Sequence, residues 1–319
     1  MILILGATGY LGQAFVAELR KRGHEFVSLS RQTLDYTRFD LLFGYVRSHR
    51  PKLIINAAGF TGRPDISACE IARADTVTAN TLLPQTVARV SYLTKTPWAH
   101  ISSSSIFSGA KTAQNGGFAA ARDLSADQLE SPTGAQPGAI LGFTETDRPN
   151  CTFNEGPCSF YSGSKALAEE SLHWRDECYV WRPGPMFDES DHPRNLLVQI
   201  SNGSPLELGL GSLSHRTDFV RTCLDLWERN APHGIYHVAN PGMVSRSQMI
   251  DIRKQILQSQ ARMEPSSSTT DLPWKGAALT WSALDSSKLD ACGIRLRPAI
   301  EALREAAQKL PSHPTVSAL

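Results

Sequence analysis

The stretch Ile2-Leu3-Ile4-Leu5-Gly6-Ala7-Thr8-Gly9-Tyr10-Leu11-Gly12 sets four apolar residues against three glycines at three-residue spacing. A short, wholly apolar run that ends in glycine reads as a buried parallel strand passing into a tight turn. Beyond the turn, Leu11, Phe15, Val16 and Leu19 recur at helical spacing, Lys21 and Arg22 stand near the end, and Gly23 closes the helix. Between a strand and a helix such glycines have separate uses. One permits the turn, one lets backbone approach a pyrophosphate, and one lets the helix pack closely on the strand, with helix-terminal N–H groups facing the anion. Gly6, Thr8, Gly9, Tyr10, Leu11 and Gly12 are therefore a candidate dinucleotide-binding loop, with a flavin or S-adenosylmethionine as the alternative occupant.

Outward from this loop the pattern repeats. Phe26 to Ser30 reads as a second strand, Phe39 to Val46 as a second helix and Leu53 to Asn56 as a third strand. A further helix is expected over roughly Arg73 to Leu93, and Trp98 to Ser102 forms a strand that runs into four successive serines. Alternation of this kind gives an α/β fold, a Rossmann-type doubly wound parallel sheet, whose ligands lie beyond the carboxyl ends of the strands. Residues 110–139 shift to Ala, Gly, Ser, Pro and Gln with weak periodicity, which suggests a long insertion near the mouth of the site, a candidate lid. After a helix from Tyr161 to about Leu172 comes a strand at Tyr179 to Arg182. We expect residues 1–178 to form the nucleotide-binding domain, with strands near 179–182 and 234–239 returning to it, and residues 183–319 to form mostly a smaller, interleaved substrate lobe. The tail from Pro311 reads as mobile.

Bulk properties narrow the class. With 319 residues, 41% hydrophobic and 20% charged, the chain can bury a core without staples. A formal net charge of +1 gives no long-range field for nucleic acid or an anionic membrane, so a small-molecule partner is expected. The six cysteines, at 69, 151, 158, 178, 223 and 292, include no Cys-x-x-Cys pair and read as reduced thiols, and no metal-ligand spacing is present. No stretch is long and apolar enough for a membrane span, and the start lacks a signal peptide's basic region, so a cytoplasmic protein is expected.

Two places carry chemistry. At the end of the second strand, where an acid would serve the ribose hydroxyls of NAD, the chain has Ser30-Arg31. Serine hydrogen-bonds a 2′-phosphate and arginine pairs with it, which favours NADP over NAD, though a solvated arginine would look the same. Asp35 either meets the adenine amine or starts the following helix. Tyr161 and Lys165 stand one helical turn apart, on one face. An ammonium beside a phenol favours the phenolate, so Tyr161 would donate a proton to a carbonyl oxygen that receives hydride, while Lys165 holds the nicotinamide ribose. Ser102 to Ser105 would reach the same sheet edge and polarise that carbonyl.

On these residues the chain resembles the extended short-chain dehydrogenase/reductases of the nucleotide-sugar class, nearest to dTDP-4-dehydrorhamnose reductases and plant-type rhamnose-synthase epimerase/reductases. Besides GATGYLG and Tyr-x-x-x-Lys, the matching pieces are INAAG at 55–59, TGRPDISACE at 61–70, GFTETDRPN at 142–150, SFYSGSKALAEE at 159–170, PRN at 193–195 and GIYHVANPG at 234–242. The resemblance implies a catalytic Ser103, Tyr161 and Lys165, with Asn56, Ala57, Ala58 and Gly59 lining the cofactor cleft and Asn80 supporting it from the next helix. It puts Thr61, Gly62 and Arg63 at the substrate, Arg63 as a phosphate contact or a structural residue. Ser104 and Ser105 would face the sugar. Arg194, Asn195 and Arg216 offer donors to a diphosphate, or else are turn residues bonded to backbone.

The chain also departs from its relatives. Where the bifunctional epimerase/reductases have a proton-exchanging cysteine two positions after the catalytic Ser/Thr, this chain has Ser105, a poor base at neutral pH; Cys158, near Tyr161 in sequence, is a candidate substitute or an inert thiol. The Asp-Glu pair of the 4,6-dehydratases is replaced by Ser104-Ser105. What the resemblance implies is NADPH-dependent reduction of a 4-keto nucleotide sugar. The alternatives are a 4-epimerase with captive cofactor and a non-catalytic NADP-binding regulatory subunit. Two helices on one face of such a sheet pair in related dimers, so a homodimer stays open.

Overall fold

Strand β1 (Ile2–Leu5) is buried at all four positions and lies between β2 (Phe26–Leu29) and β3 (Leu53–Asn56), parallel to both. This follows from its unbroken apolar sequence, since a central parallel strand is covered on both faces. The computed structural model describes residues 1–62, 66–114, 117–121, 140–156, 158–172, 177–202, 211–259 and 282–311. Adding β4 (Trp98–Ile101), β8 (Cys178–Arg182) and β11 (Gly234–His237) gives a six-stranded sheet of order β11-β8-β4-β3-β1-β2, every pair parallel. The order reverses between β1 and β3, which puts a ligand crevice beyond Leu5 and Asn56.

Both faces of the sheet are covered. On one, Ile2, Ile4, Ile55, Ala99 and Trp181 pack with Phe15 and Leu19 of α1 (Tyr10–Lys21) and with Phe219, Val220 and Leu224 of a later helix, Arg216–Glu228. On the other, Leu3, Leu5, Ile54 and Val180 meet Leu42 and Val46 of α2 (Phe39–His49) and Val87 and Val90 of α4 (Leu83–Thr94). The helix expected over 73–93 is present but is not uniform. α3 (Arg73–Val77) passes into a π-helical turn at Thr78–Leu82 before α4 resumes, and π turns are often found at functional sites.

The weakly patterned stretch from 110 differs from the simple insertion expected. β5 (Ala110–Gln114) forms an antiparallel hairpin with β6 (Gly117–Ala121) and also pairs with β7 (Ile140–Leu141). Its alternation is hard to see because alanine and glycine contribute little side chain to a pleated face. Residues 122–139 of the expected insertion, and the tail from 312, lie outside the described residues. Helix α5 (Phe160–Leu172) leads into β8.

A second core gathers Phe187, Leu196, Leu197, Ile200, Met249, Ile252, Ile256, Leu303 and Ala306. They come from β9 (Met186–Phe187), α6 (Leu196–Ser201), α8 (Arg246–Ser259) and α10 (Ala299–Lys309). β9 pairs with β10 (Ser214–His215), and α9 is a short helix at Lys288–Ala291. The intervening helix α7 (Arg216–Glu228) leaves this cluster to pack on α1, where Arg22 reaches Asp225 at 2.7 Å and Glu228 at 2.6 Å. No described helix is long and apolar enough to cross a membrane.

Candidate active site

The glycine loop is a tight cradle in which Gly6 and Gly12 leave no room for a side chain. Gly6 has φ +77°, and a Cβ there would lie 2.5 Å from the Ala58 backbone, while one on Gly12 would run into the Gly6 carbonyl. Gly9, which precedes α1, supplies no side-chain cap, and the first turn of α1 carries no acid. The free N–H groups and positive end of the helix dipole thus face the loop unopposed. Across the crevice, the Asn56 side-chain oxygen accepts from the Ala58 N–H at 3.2 Å. Its amide nitrogen is buried without a hydrogen-bond partner among the described residues, at the end of β3 beside β1.

The π turn presents Asn80. Its oxygen accepts the Phe60 N–H at 2.8 Å and its amide donates to the Phe60 carbonyl at 2.9 Å and to Ser164 Oγ at 3.2 Å. This ties the loop after β3 to α5. Gly59 is confined between them, since a Cβ there would lie 3.2 Å from Asn80 Oδ1 and 3.6 Å from Lys165 Nζ.

Ser103, Tyr161 and Lys165 come together at the carboxyl edge of the sheet. Ser103 Oγ accepts from the Ser105 N–H at 3.1 Å and from Ser105 Oγ at 2.9 Å, and it hydrogen-bonds the Tyr161 phenol. Ser105 is therefore a support for Ser103. Lys165 Nζ donates to the Ile101 carbonyl at 2.9 Å and lies 6.0 Å from the centre of the Tyr161 ring. Burial pushes the phenol up to about 12, against the Ser103 hydrogen bond and the nearby charge of Arg194. The expected lowering by Lys165 is not what the geometry gives, because the ammonium is turned toward the strand. Burial also pushes Lys165 down to about 8, with Glu169 and Cys69 acting in the opposite sense. The sequence pointed to Cys158 as a neighbour of Tyr161, whereas it is Cys69 whose charge would be felt by Tyr161 and Lys165; the Cys158 thiol donates to the Thr152 carbonyl at 2.9 Å.

Behind these three residues lies a buried polar chain that sequence reading missed. Ser102 Oγ donates to Glu169 Oε1, and Arg182 reaches the same carboxylate through Nε at 3.0 Å and Nη2 at 2.5 Å. Arg182 Nη1 then donates to His237 Nε2 at 3.0 Å, and His237 Nδ1 donates to the Asp285 carbonyl at 3.0 Å. Burial and the Arg182 charge hold His237 down at about 3, so it is a neutral acceptor. The only local signal was Glu169, four residues after Lys165 on one helical face.

The remaining expected residues divide. Ser30 shares hydrogen bonds with Thr33, while Arg31 is exposed, its charge felt by Tyr36, which also hydrogen-bonds the Gly6 backbone. Arg31 thus lies beside the glycine loop. Asp35 accepts from the Thr37 N–H at 3.2 Å and from the Thr37 hydroxyl at 2.5 Å, the local turn role. Arg194 crosses from the second core to Thr61 Oγ1 and to the Gly62 carbonyl at 2.7 Å, close enough to Tyr161 to be felt by it. Asn195 differs from a free donor. Its oxygen caps α6 through the Leu197 N–H at 3.1 Å, and its amide is spent on Asp188 and Ser190. Arg216 Nη1 donates to Asp188 Oδ2 at 2.6 Å and its guanidinium covers the Tyr10 ring at 4.2 Å, with His192 stacked on the same ring at 4.5 Å. Its Nε is buried without a hydrogen-bond partner among the described residues. Ser104 is buried, its carbonyl accepting the Ser282 hydroxyl at 3.0 Å. Arg63 lies outside the described residues.

The trifunctional UDP-glucose 4,6-dehydratase/UDP-4-keto-6-deoxy-D-glucose 3,5-epimerase/UDP-4-keto-L-rhamnose-reductase of Arabidopsis thaliana is 26% identical over 80% of the chain, which spans about a third of that relative (34%). The bifunctional dTDP-4-dehydrorhamnose 3,5-epimerase/dTDP-4-dehydrorhamnose reductase of the same plant is 25% identical over 80% of the chain and 75% of its own length. Among solved structures, the UDP-rhamnose synthase of Acanthamoeba polyphaga mimivirus superposes with TM-score 0.75 at 20% identity, covering 97% of this chain and 99% of that one. The dTDP-4-dehydrorhamnose reductase of Bacillus anthracis, in complex with NADP, does so with TM-score 0.67 at 21% identity over 95% and 96%. The RmlD substrate binding domain family matches residues 1–312, and the chain belongs to that family.

Proposed function

We propose that the chain reduces the 4-keto group of a nucleotide-linked (deoxy)sugar with NADPH. The observation that carries this reading is the convergence of the Ser103 hydroxyl, the Tyr161 phenol and the Lys165 ammonium at one sheet edge, beside a glycine cradle and the unpartnered Asn56 amide. The residues fit a dinucleotide. Gly6, Thr8, Gly9, Tyr10, Leu11 and Gly12 would hold its pyrophosphate, Ser30 and Arg31 its 2′-phosphate, and Asn56, Ala57, Ala58, Gly59 and Asn80 the walls of the cleft. NADPH supplies the hydride when bound.

The protein's own part is a proton and a charge. Tyr161 is held protonated by burial, and in that state it is a donor to a carbonyl oxygen becoming an alkoxide. Ser103 gives a second hydrogen bond to that oxygen, its own lone pairs occupied by the Ser105 N–H and hydroxyl. Lys165, its ammonium anchored on the Ile101 carbonyl, would hold the nicotinamide ribose. From the second core, Arg194 and Arg216 would meet the substrate's diphosphate, and the family resemblance makes Arg63 a further phosphate contact. Ser105 is tied to Ser103 and supplies no carbon acid–base, so reduction without 3,5-epimerisation is the reading its position favours.

The test is direct. The protein is titrated with NADPH and NADH, then mixed with dTDP-, UDP- and GDP-linked 4-keto-6-deoxy sugars while the absorbance of the reduced nicotinamide is followed. Stoichiometric oxidation with one donor supports the reading and names its nucleotide. Binding of cofactor with no oxidation across the panel overturns it in favour of a 4-epimerase with captive cofactor or a regulatory binding subunit.

A further inference from the structure

The chain of buried groups behind Tyr161 and Lys165 begins at Ser102, next to Ser103, and at Glu169, one turn beyond Lys165 on α5. The Glu169 and Lys165 side chains are both buried. The carboxylate takes two nitrogens of Arg182, from the end of β8, and the hydroxyl of Ser102, the residue before Ser103. A buried carboxylate survives only when paired and hydrogen-bonded, and here every partner comes from a strand that ends at the site.

We propose that Glu169 is a positioning residue of the proposed reductase site: anchored by Arg182 and Ser102, its carboxylate keeps Lys165 charged beneath Tyr161 and fixes the strand end that presents Ser103. The inference rests on the ketoreductase reading for its purpose, but the charge-holding itself is a property of the protein without any ligand.

The surroundings of Lys165 leave Glu169 as the natural source of that charge balance. From its own helix Lys165 is faced by Tyr161 and Glu169, from the segment Ile66–Glu70 by Cys69, and from β4 by His100. His100 is fully buried, neither ring nitrogen has a hydrogen-bond partner among the described residues, and burial followed by the Lys165 charge holds it well below its ordinary range, so it is neutral and offers no counter-charge. Tyr161 is protonated. Arg182, on β8, is paired with Glu169, and its far nitrogen donates to neutral His237. Burial acts to discharge Lys165, Glu169 is the largest opposing influence, and Cys69 adds to it. Removing the carboxylate while leaving Arg182 therefore turns the balance against the ammonium.

The experiment reads Lys165 itself. Lysine side chains are labelled with 13C, the Lys165 resonance is assigned by its loss in Lys165→Met, and its titration is followed by NMR in the ligand-free full chain. In Glu169→Gln the midpoint is expected to fall by about one pH unit or more, the lower end of what a neighbouring opposite charge produces. Glu169→Asp is expected to recover most of the parent midpoint. If Glu169→Gln alone does not fold, because Arg182 is left unpaired, the double variant Glu169→Gln/Arg182→Met is measured in its place and a smaller fall in the same direction is expected. A Lys165 midpoint unchanged in the folded variant overturns the proposal. Failure of the parent protein to oxidise NADPH with the substrate panel would overturn the reductase reading alone, since the NMR midpoint does not depend on turnover.

Discussion

Asn80 holds Phe60 by both of its backbone groups, accepting the N–H at 2.8 Å and donating to the carbonyl at 2.9 Å. A side chain that replaces a strand partner in this way keeps the loop after β3 in register with α5, so that Gly59 stays open beside Lys165. Asn80→Ala would leave both backbone groups of Phe60 without these bonds, at a cost of about 1–3 kcal/mol. We expect a lowered midpoint in urea unfolding and weaker NADPH binding by fluorescence titration. Unchanged affinity at reduced stability would mean that the clamp serves the fold alone.

Tyr161→Phe removes the proton donor and keeps the ring. Turnover of a 4-keto nucleotide sugar is expected to fall by roughly 10²–10⁴-fold, with NADPH affinity preserved. Full activity in this variant would show that another group donates the proton.

Arg31 stands exposed at the end of β2, near Tyr36 and the Gly6 backbone. Arg31→Ala should weaken NADPH roughly tenfold, about 1.4 kcal/mol, and leave NADH almost unaffected. Equal losses for the two cofactors would point to a structural arginine, and the assignment of Ser30-Arg31 to the 2′-phosphate would fall.

His215 sits between two carboxylates, Glu189 at 3.2 Å and Asp218 at 3.4 Å, in a cleft between β10 and α10. Burial opposes its charge, but hydrogen bonds and charge from Asp218 and Glu189 push it up to about 9. The unfolded chain has a histidine near 6.5. A raised folded value means that the stability it contributes is complete below about pH 6.5 and fades as pH rises through about 9. Melting temperatures of the parent and of His215→Gln should therefore differ most at pH 6, by the equivalent of about 1–3 kcal/mol, and converge by pH 10. A gap that is constant with pH would mean that packing, not charge, is what His215 supplies.

The parallel sheet and its ligand edge were legible because their signals are local: four apolar residues at Ile2–Leu5, glycines at fixed spacing, and Tyr161 and Lys165 one turn apart. What sequence could not show is pairing at a distance. Arg182 finds Glu169 13 positions away and His237 finds Arg182 across 55, and no periodicity records either. Arg194 and Asn195 make the same point in opposite senses, being adjacent in the chain. The first reaches across to Gly62 and the second folds back on Asp188. Only the turn geometry before α6 tells them apart. The hairpin at Ala110–Ala121 was hidden by its small residues, and the π turn at Asn80 by a sequence that reads as ordinary helix.

The sheet order has a consequence for inheritance. Its outer strand β11 is contributed by residues that follow β9, α6, β10 and α7, and α7 itself lies back on α1 through Arg22. The two halves are thus stitched through one another and are not beads on a string. Cutting after Arg182 would strip β8 of its neighbour and α1 of its cover, exposing an unpaired strand edge and a bared apolar surface. A lineage could alter surface loops one at a time, but discarding the second half would cost the sheet its edge strand and α1 its cover. New specificity in such a protein must come by local replacement and not by shuffling.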